Sequence, residues 1–232
     1  MVFDWTKLHF CASMRAGKLL TGNCRSESAR RAMTKILCRS RKEEKMDNLK
    51  LQKIANDVRK GIITGVYNAK AGHPGGSLSA ADMFTFLYFE EMNIDPQNPN
   101  WEDRDWFALS KGHCAPALYA ALALKGYFPM DWLATINKLG TRLPSHADMQ
   151  KTPGVDMTTG SLGLGISAAC GMALAGKLNN KDYRVYTVLG DGESEEGQVW
   201  EAAMFAAHYK LDNLVAVVDF NGLQIDGPVT EV

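Results

Sequence analysis

No apolar run in the 232-residue chain approaches the roughly 20 residues that a membrane-crossing helix needs, so no membrane partner is expected. Cysteine is sparse and without metal-ligand spacing. Of the five, Cys11, Cys24 and Cys38 fall in the first 45 residues, which leaves Cys114 and Cys170 for the rest, too few for a disulfide framework. The cytosol is the compartment that this cysteine usage suggests. Neither sign of charge prevails overall, with 26 Lys and Arg against 26 Asp and Glu, but the balance is uneven along the chain. Residues 1–45 carry 11 basic and four acidic side chains, leaving 15 and 22 for the remainder, so the charge passes from +7 to −7 at Met46. With that arm set aside no basic stripe with interleaved aromatics survives, which argues against nucleic acid as a partner. Repeats and low-complexity segments are absent as well.

What is present, at 46% hydrophobic and 22% charged, suits one globular domain with a large core from Met46 onward. Asp47-Asn48-Leu49 opens a first helix with Leu51, Ile54, Val58 and Ile62 on one face. A second helix is expected from Ala80 to Met92, and Asp95 to Asn100 forms a loop before the segment Asp105 to Leu109. Met46 reads as the natural start and the basic arm as upstream readthrough; a basic, acid-poor arm containing serine also suits an organellar transit peptide. N-terminal mass analysis of the native protein separates the two, and a mature start well before Met46 would sink the first.

The densest signal lies near the end. Segments 184–189 and 214–218 are short, β-branched and apolar enough to be buried on both faces. Between them, from Gly197 to Leu211, Val199, Ala202, Ala203, Phe205, Ala206 and Tyr209 recur at helical steps as one buried stripe. The unit is βαβ, and its right-handed crossover opens both strand ends onto one crevice, where open α/β sheets bind ligands. Asp191, in Gly190-Asp191-Gly192, and Asn221, in Asp219-Phe220-Asn221-Gly222, stand at those ends. A carboxylate, an amide oxygen and a backbone carbonyl suit magnesium, which keeps coordination places for phosphate oxygens. A diphosphate is the natural companion, and glycines at 190 and 192 leave room for it.

The run from Gly190-Asp191-Gly192 to Asn221 resembles the thiamine diphosphate motif, and the stretches around it resemble the diphosphate-binding domain of transketolases. Transketolase-like blocks also stand at Gly72-His73-Pro74-Gly75-Gly76, Ser110-Lys111-Gly112-His113 and Thr158-Thr159-Gly160-Ser161-Leu162-Gly163, so the resemblance covers roughly 46–232. It implies the α/β thiamine diphosphate-binding fold, a mostly parallel sheet with helices on both faces. It implies thiamine diphosphate and a magnesium ion, or calcium or manganese in its place, held by Asp191, Asn221 and the carbonyl of Leu223. His73, His113 and His146 match the histidines over the thiazolium that contact phosphate or sugar hydroxyls. Gly160, Ser161 and Leu162, with Gly190, Gly192, Glu196 and Asn221, match cofactor-binding positions. Glu196 corresponds to a glutamate at the dimer interface, whereas Glu193 and Glu195 are expected as solvated loop charges. Lys111 is either a surface lysine or one that steadies a phosphate or oxyanion. His208, on the helix between the two strands, is expected to pack or face solvent.

Nothing in the chain resembles the family's pyrimidine-binding domain, and Val232 falls early even for the diphosphate-binding one. The resemblance is therefore to the N-terminal subunit of a split transketolase, which moves a two-carbon ketol unit between sugar phosphates. It implies a C-terminal pyrimidine-binding partner and a dimer of heterodimers. A related thiamine diphosphate enzyme, such as deoxyxylulose phosphate synthase or a 2-oxo acid dehydrogenase component, and an inactive cofactor-binding fragment are the alternatives.

Overall fold

The computed structural model describes residues 46–231; the basic arm with its three cysteines, and Val232, lie outside the described residues. Helix α1 (Asn48–Ala69) buries Leu51, Val58 and Ile62, with Ile54 half-buried beside them, the face their spacing implies. Helices α2 (Pro74–Ser79) and α3 (Ala81–Phe86) follow. The single helix expected from Ala80 to Met92 is not continuous: α3 passes into a π-helical turn over Leu87–Glu91, and Met92 is extended. At the end of that wide turn Glu91 accepts hydrogen bonds from Tyr186 Oη (2.9 Å) and Arg184 Nη1 (3.2 Å), so it is tied to the sheet.

Among the described residues the main sheet has three strands, β1 (Trp106–Leu109), β2 (Val185–Gly190) and β3 (Leu214–Asp219), all parallel, with β2 in the centre. Parallel strands need long crossovers, which helices α4 (Ala115–Lys125) and α5 (Leu164–Leu178) supply between β1 and β2, and α6 (Gly197–His208) between β2 and β3. Side chains alternate across the sheet. Phe107, Leu109, Tyr186 and Val188 join the core formed with α1, α3 and α4. Ala108, Val185 and Leu189 join a second core with Ile166, Ala169 and Ala173 of α5 and Val199, Ala202 and Ala206 of α6. Helices thus cover both faces. A small antiparallel pair, β4 (Leu223–Gln224) and β5 (Gly227–Pro228), follows β3.

Helix α4 is apolar on all sides and nine of its 11 residues are buried, as such a helix requires. Pro116 sits in its first turn, where no intrahelical N–H is lost, and Gly126 ends it with its amide bonded back to Leu122 and Ala123. At the opposite end of β1 from the motif residues, Arg104 grips Asp156 with two hydrogen bonds of 3.1 and 2.7 Å, and the Phe107 amide donates to the same carboxylate at 2.8 Å. Both side chains of this pair are nearly buried, and burial raises the Asp156 pKa although Arg104 opposes it.

Two expectations about burial need correction. Strand β3 forms the edge of the described sheet, so Leu214 to Val217 are only half-buried and Val218 is exposed. On α6 the buried stripe narrows to Val199, Ala202 and Ala206; Phe205 and Tyr209 are exposed and packed on each other, ring centroids 4.5 Å apart. A 3.6-residue period places side chains on a helix face without saying which residues find a neighbouring layer. His208 is exposed, with its ring edge against Tyr209. Cys114 and Cys170 are both free and buried. Among the described residues no helix is long and apolar enough to cross a membrane.

Helix α5 reaches the end of β1 through Gly165: a Cβ there would stand 2.3 Å from Ser110 Cα, a backbone atom that cannot step aside. Alanine is worth about 1 kcal/mol over glycine in an open helix, but overpacking costs about 1–3 kcal/mol or more. Gly165→Ala is therefore expected to destabilise, lowering the urea midpoint; an unchanged or raised midpoint would show that the close approach is not enforced.

Candidate functional site

The ends of the three strands supply the motif residues. Gly190 is in register with Asp219, and the Asp191 amide donates to the Asp219 carbonyl at 3.3 Å, so the chains leaving β2 and β3 start side by side. The Asp191 carboxylate, 6% exposed, accepts from the Gly192 amide (3.1 Å) and from the Gly222 amide (2.5 Å). Asn221 Oδ1 accepts from the Leu223 amide at 2.9 Å, and Gly222 turns the chain with φ +77°. The turns that carry Asp191 and Asn221, thirty residues apart in sequence, are therefore joined by the bond from the Gly222 amide to the Asp191 carboxylate.

This turn suits a hard cation. Among the described residues no Lys or Arg nitrogen pairs with Asp191, so its buried charge is met only by neutral amides, and carboxylate and amide oxygens retain unused lone pairs. Among the described residues no three His, Cys, Asp or Glu side chains cluster as metal ligands, so an ion here depends on Asn221 and on a backbone carbonyl such as that of Leu223. Magnesium accepts such a set when phosphate oxygens complete it. Gly192 has a packing role of its own, since a Cβ there would meet Gln224 Cγ at 2.9 Å; at Gly190 nothing comes nearer than 3.8 Å.

The three histidines converge although they lie 73 residues apart at the extremes. His73 precedes α2, His113 lies in the 3₁₀ turn Gly112–Cys114 after β1, and His146 lies in the long loop before α5. Ring centroids are 5.1 Å apart for His73 and His113 and 6.3 Å apart for His73 and His146. His73 and His146 are exposed and His113 is partly buried. Burial, then the Lys111 charge, then the other two histidines lower the His113 pKa to about 4, with Asp219 opposing them. Its imidazole is thus neutral at pH 7, free to accept a proton or donate one from the ring N–H.

The glycine loop is packed against this cluster. A Cβ on Gly112 would stand 2.8 Å from the Gly160 nitrogen, and one on Gly160 would touch the His146 ring at 3.7 Å. Ser161 is exposed, Leu162 is half-buried, and Glu196 stands beside Gly163, 3.2 Å from a Cβ built there. His73, His113 and His146 thus lie together beside the glycine loop, and Asp191 and the Asn221 turn lie at the ends of β2 and β3.

Lys111 and Glu193 depart from expectation. Lys111 is neither a surface lysine nor a free phosphate ligand: it is 1% exposed, donates to Asp219 Oδ2 and the Gly76 carbonyl, and passes beside Gly190. Ser79 Oγ donates to the other Asp219 oxygen at 2.8 Å. Glu193 is not a solvated loop charge but 2% exposed, with three hydrogen-bond donors on its carboxylate, whereas Glu195 is exposed. The amides of Gly163 and Ile166 at the start of α5 are occupied by Glu193 and Ser110, so they are not free to meet a phosphate. Lys111 and Ser110 directly follow a buried strand, a position that could have flagged them. Nothing local separates Glu193 from Glu195.

The family model described as the transketolase thiamine diphosphate binding domain matches residues 50–232. The chain belongs to the transketolase family. It is 56% identical over 182 residues to a 6-deoxy-6-sulfo-D-fructose transketolase subunit of Clostridium sp., covering 78% of this chain and 66% of that one. It is 45% identical over 187 residues to an apulose-4-phosphate transketolase subunit of Phocaeicola vulgatus, covering 81% and 66%. The solved transketolase of Campylobacter jejuni superposes with a TM-score of 0.76 at 33% identity, covering 81% of this chain and 30% of that one. This transketolase-family chain therefore spans about two thirds of the subunit-type relatives and under a third of the longer transketolases.

A histidine pKa of about 4 in the folded state, against 6.5 unperturbed, means that the unfolded chain binds more protons between those values. The contribution of His113 to stability is present above pH 6.5 and lost as pH falls towards 4. In an NMR titration of this family member, the His113 ring is expected to stay neutral to about pH 5; a midpoint near 6.5 would refute the depressed value.

Proposed function

We propose that this chain is the diphosphate-binding N-terminal subunit of a transketolase divided into two subunits. The observation that carries the reading is the contact of Asp191 with the Asn221 loop, a buried carboxylate with no Lys or Arg partner among the described residues, at the same strand ends as the three-histidine cluster. The names of these relatives, which both include the word subunit, support the division.

Asp191, Asn221 and the Leu223 carbonyl are the residues that would hold magnesium beside the diphosphate of the cofactor. Gly160, Ser161 and Leu162, with Glu196 beside the same loop, and Gly190 and Gly192 would contact the cofactor. Thiamine diphosphate, when bound, supplies a thiazolium that acts as the electron sink for carbon–carbon cleavage. The protein supplies position and proton transfer. His113, neutral at pH 7, can accept a proton from a sugar hydroxyl, while the exposed His73 and His146 can bind sugar or phosphate oxygens. Glu196, exposed beside the glycine loop, faces the partner.

The partner is a C-terminal pyrimidine-binding subunit in a dimer of heterodimers, and the compartment is the cytosol. The donor is a ketose carrying an anionic group. The relatives' names give both kinds, a sulfonate in 6-deoxy-6-sulfo-D-fructose and a phosphate in apulose 4-phosphate. The reaction moves a two-carbon ketol unit from that ketose to an aldose phosphate.

Isolating the chain from its native cells with magnesium and thiamine diphosphate present, then assaying ketol transfer from phosphorylated and sulfonated ketoses, tests the assignment. Activity with a co-purifying second chain is expected; thiamine diphosphate turnover that yields deoxyxylulose phosphate or decarboxylates a 2-oxo acid would replace it. In calorimetry of that assembly, Asp191→Ala is expected to weaken magnesium-dependent cofactor binding on the order of 100-fold, the upper range for changes around a metal site. Unchanged binding would remove Asp191 from the metal.

A further inference from the structure

Helix α5 begins without a cap of its own. Its N-cap residue, Gly163, has no side chain and sits at φ +83°, and no side chain of that position closes the first turn. Two other elements supply the missing acceptors. Ser110 Oγ, just past the end of β1, accepts from the Ile166 amide at 3.2 Å, where an N-cap side chain ordinarily would. Glu193 Oε1, from the 3₁₀ turn Gly192–Glu195 after β2, accepts from the Gly163 amide at 2.9 Å. The same oxygen accepts from Ser110 Oγ at 2.5 Å, and Oε2 accepts from the Gly190 amide at 3.0 Å.

One carboxylate is therefore shared by three segments that the candidate site needs in register: the start of Ser110-Lys111-Gly112-His113, the end of the glycine loop, and the residue before Asp191. It is 2% exposed, and among the described residues no ion pair meets it. Its negative charge faces the start of a 15-residue helix, where the peptide dipoles favour an anion. Both oxygens must accept. The Ser110 oxygen already receives the Ile166 amide, so its proton is committed to Glu193, and the other two partners are N–H groups.

We propose that Glu193 is a positioning residue: by holding the Gly160–Gly163 loop to the Gly190–Asp191 turn, it fixes the distance between the wall that meets the cofactor's rings and the wall that holds its diphosphate. This rests on the cofactor site proposed above. A ligand that touches both walls feels the link; one that touches only the metal turn does not.

Glu193→Gln tests the point because it keeps shape and loses one acceptor. If the amide turns its NH2 towards Gly190, one donor meets another; turned the other way, it meets two. The full chain, with its partner subunit, is titrated calorimetrically with thiamine diphosphate plus magnesium and, separately, with inorganic diphosphate plus magnesium. Glu193→Gln is expected to weaken thiamine diphosphate binding about 10-fold or more, the scale of changes to groups that orient metal ligands, while inorganic diphosphate changes about twofold or less. Ser110→Ala is expected to act in the same direction by less, and the double variant to cost less than the two single effects combined. If Glu193→Gln does not fold by circular dichroism, Ser110→Ala decides alone. Unchanged thiamine diphosphate binding, or equal loss for both ligands, overturns the positioning role. If the unsubstituted protein binds neither ligand more tightly than Asp191→Ala does, the cofactor site itself is refuted and the positioning role falls with it.

Discussion

The parallel pairing of β2 with both of its neighbours is the constraint on which the rest depends. Parallel strands end on the same side, so one register, Leu109 with Val188 and Gly190 with Asp219, brings three loops to a single edge. A reversed β3 would send Asp219 and Asn221 to the far end of the sheet. The register is held by apolar alternation on both faces and, at the edge itself, by the buried pair of Lys111 and Asp219, which runs from the loop after β1 to the end of β3 past Gly190. Deleting one member of such a pair strands a charge in the interior, which costs about 3–5 kcal/mol.

The electrostatics of that edge are unbalanced. Asp191, Glu193 and Asp219 are all buried there, and Lys111 neutralises only Asp219. Glu193 is offset by three hydrogen bonds and a helix terminus. Among the described residues Asp191 is met by two amides and by no Lys or Arg, so of the three carboxylates it is the one best suited to the cation of the proposed site.

Much of this was legible from residues 184–221. Two short β-branched strands around an amphipathic helix specify a βαβ unit, and that unit places Asp191 beside Asn221 with no further knowledge. The histidines were legible only through the family resemblance, which includes the blocks around His73 and His113, because no periodicity links the three. What was not legible depends on tertiary neighbours. Glu193 and Glu195 stand two residues apart in one loop; Glu193 is drawn inside because Ser110, Gly163 and Gly190 offer it donors, and two of those three lie far away in sequence. The exposure of Phe205 and Tyr209 was hidden for the same reason, and the π turn at Leu87–Glu91 has no local composition signature.

The two thiols of the described residues illustrate how burial sets chemistry as well as packing. Burial pushes the Cys114 thiol up to about 11 although Lys111 draws it down, and burial alone pushes Cys170 to about 11. Cys114 lies directly behind the histidine cluster, against Gly76. At neutral pH neither sulfur carries appreciable thiolate, the form that reacts with oxidants and alkylating agents. The histidine edge thus has an oxidation-resistant backing, and any thiol labelling at Cys114 would report that α2 had lifted away from the turn after β1, making this sulfur a built-in gauge of local opening.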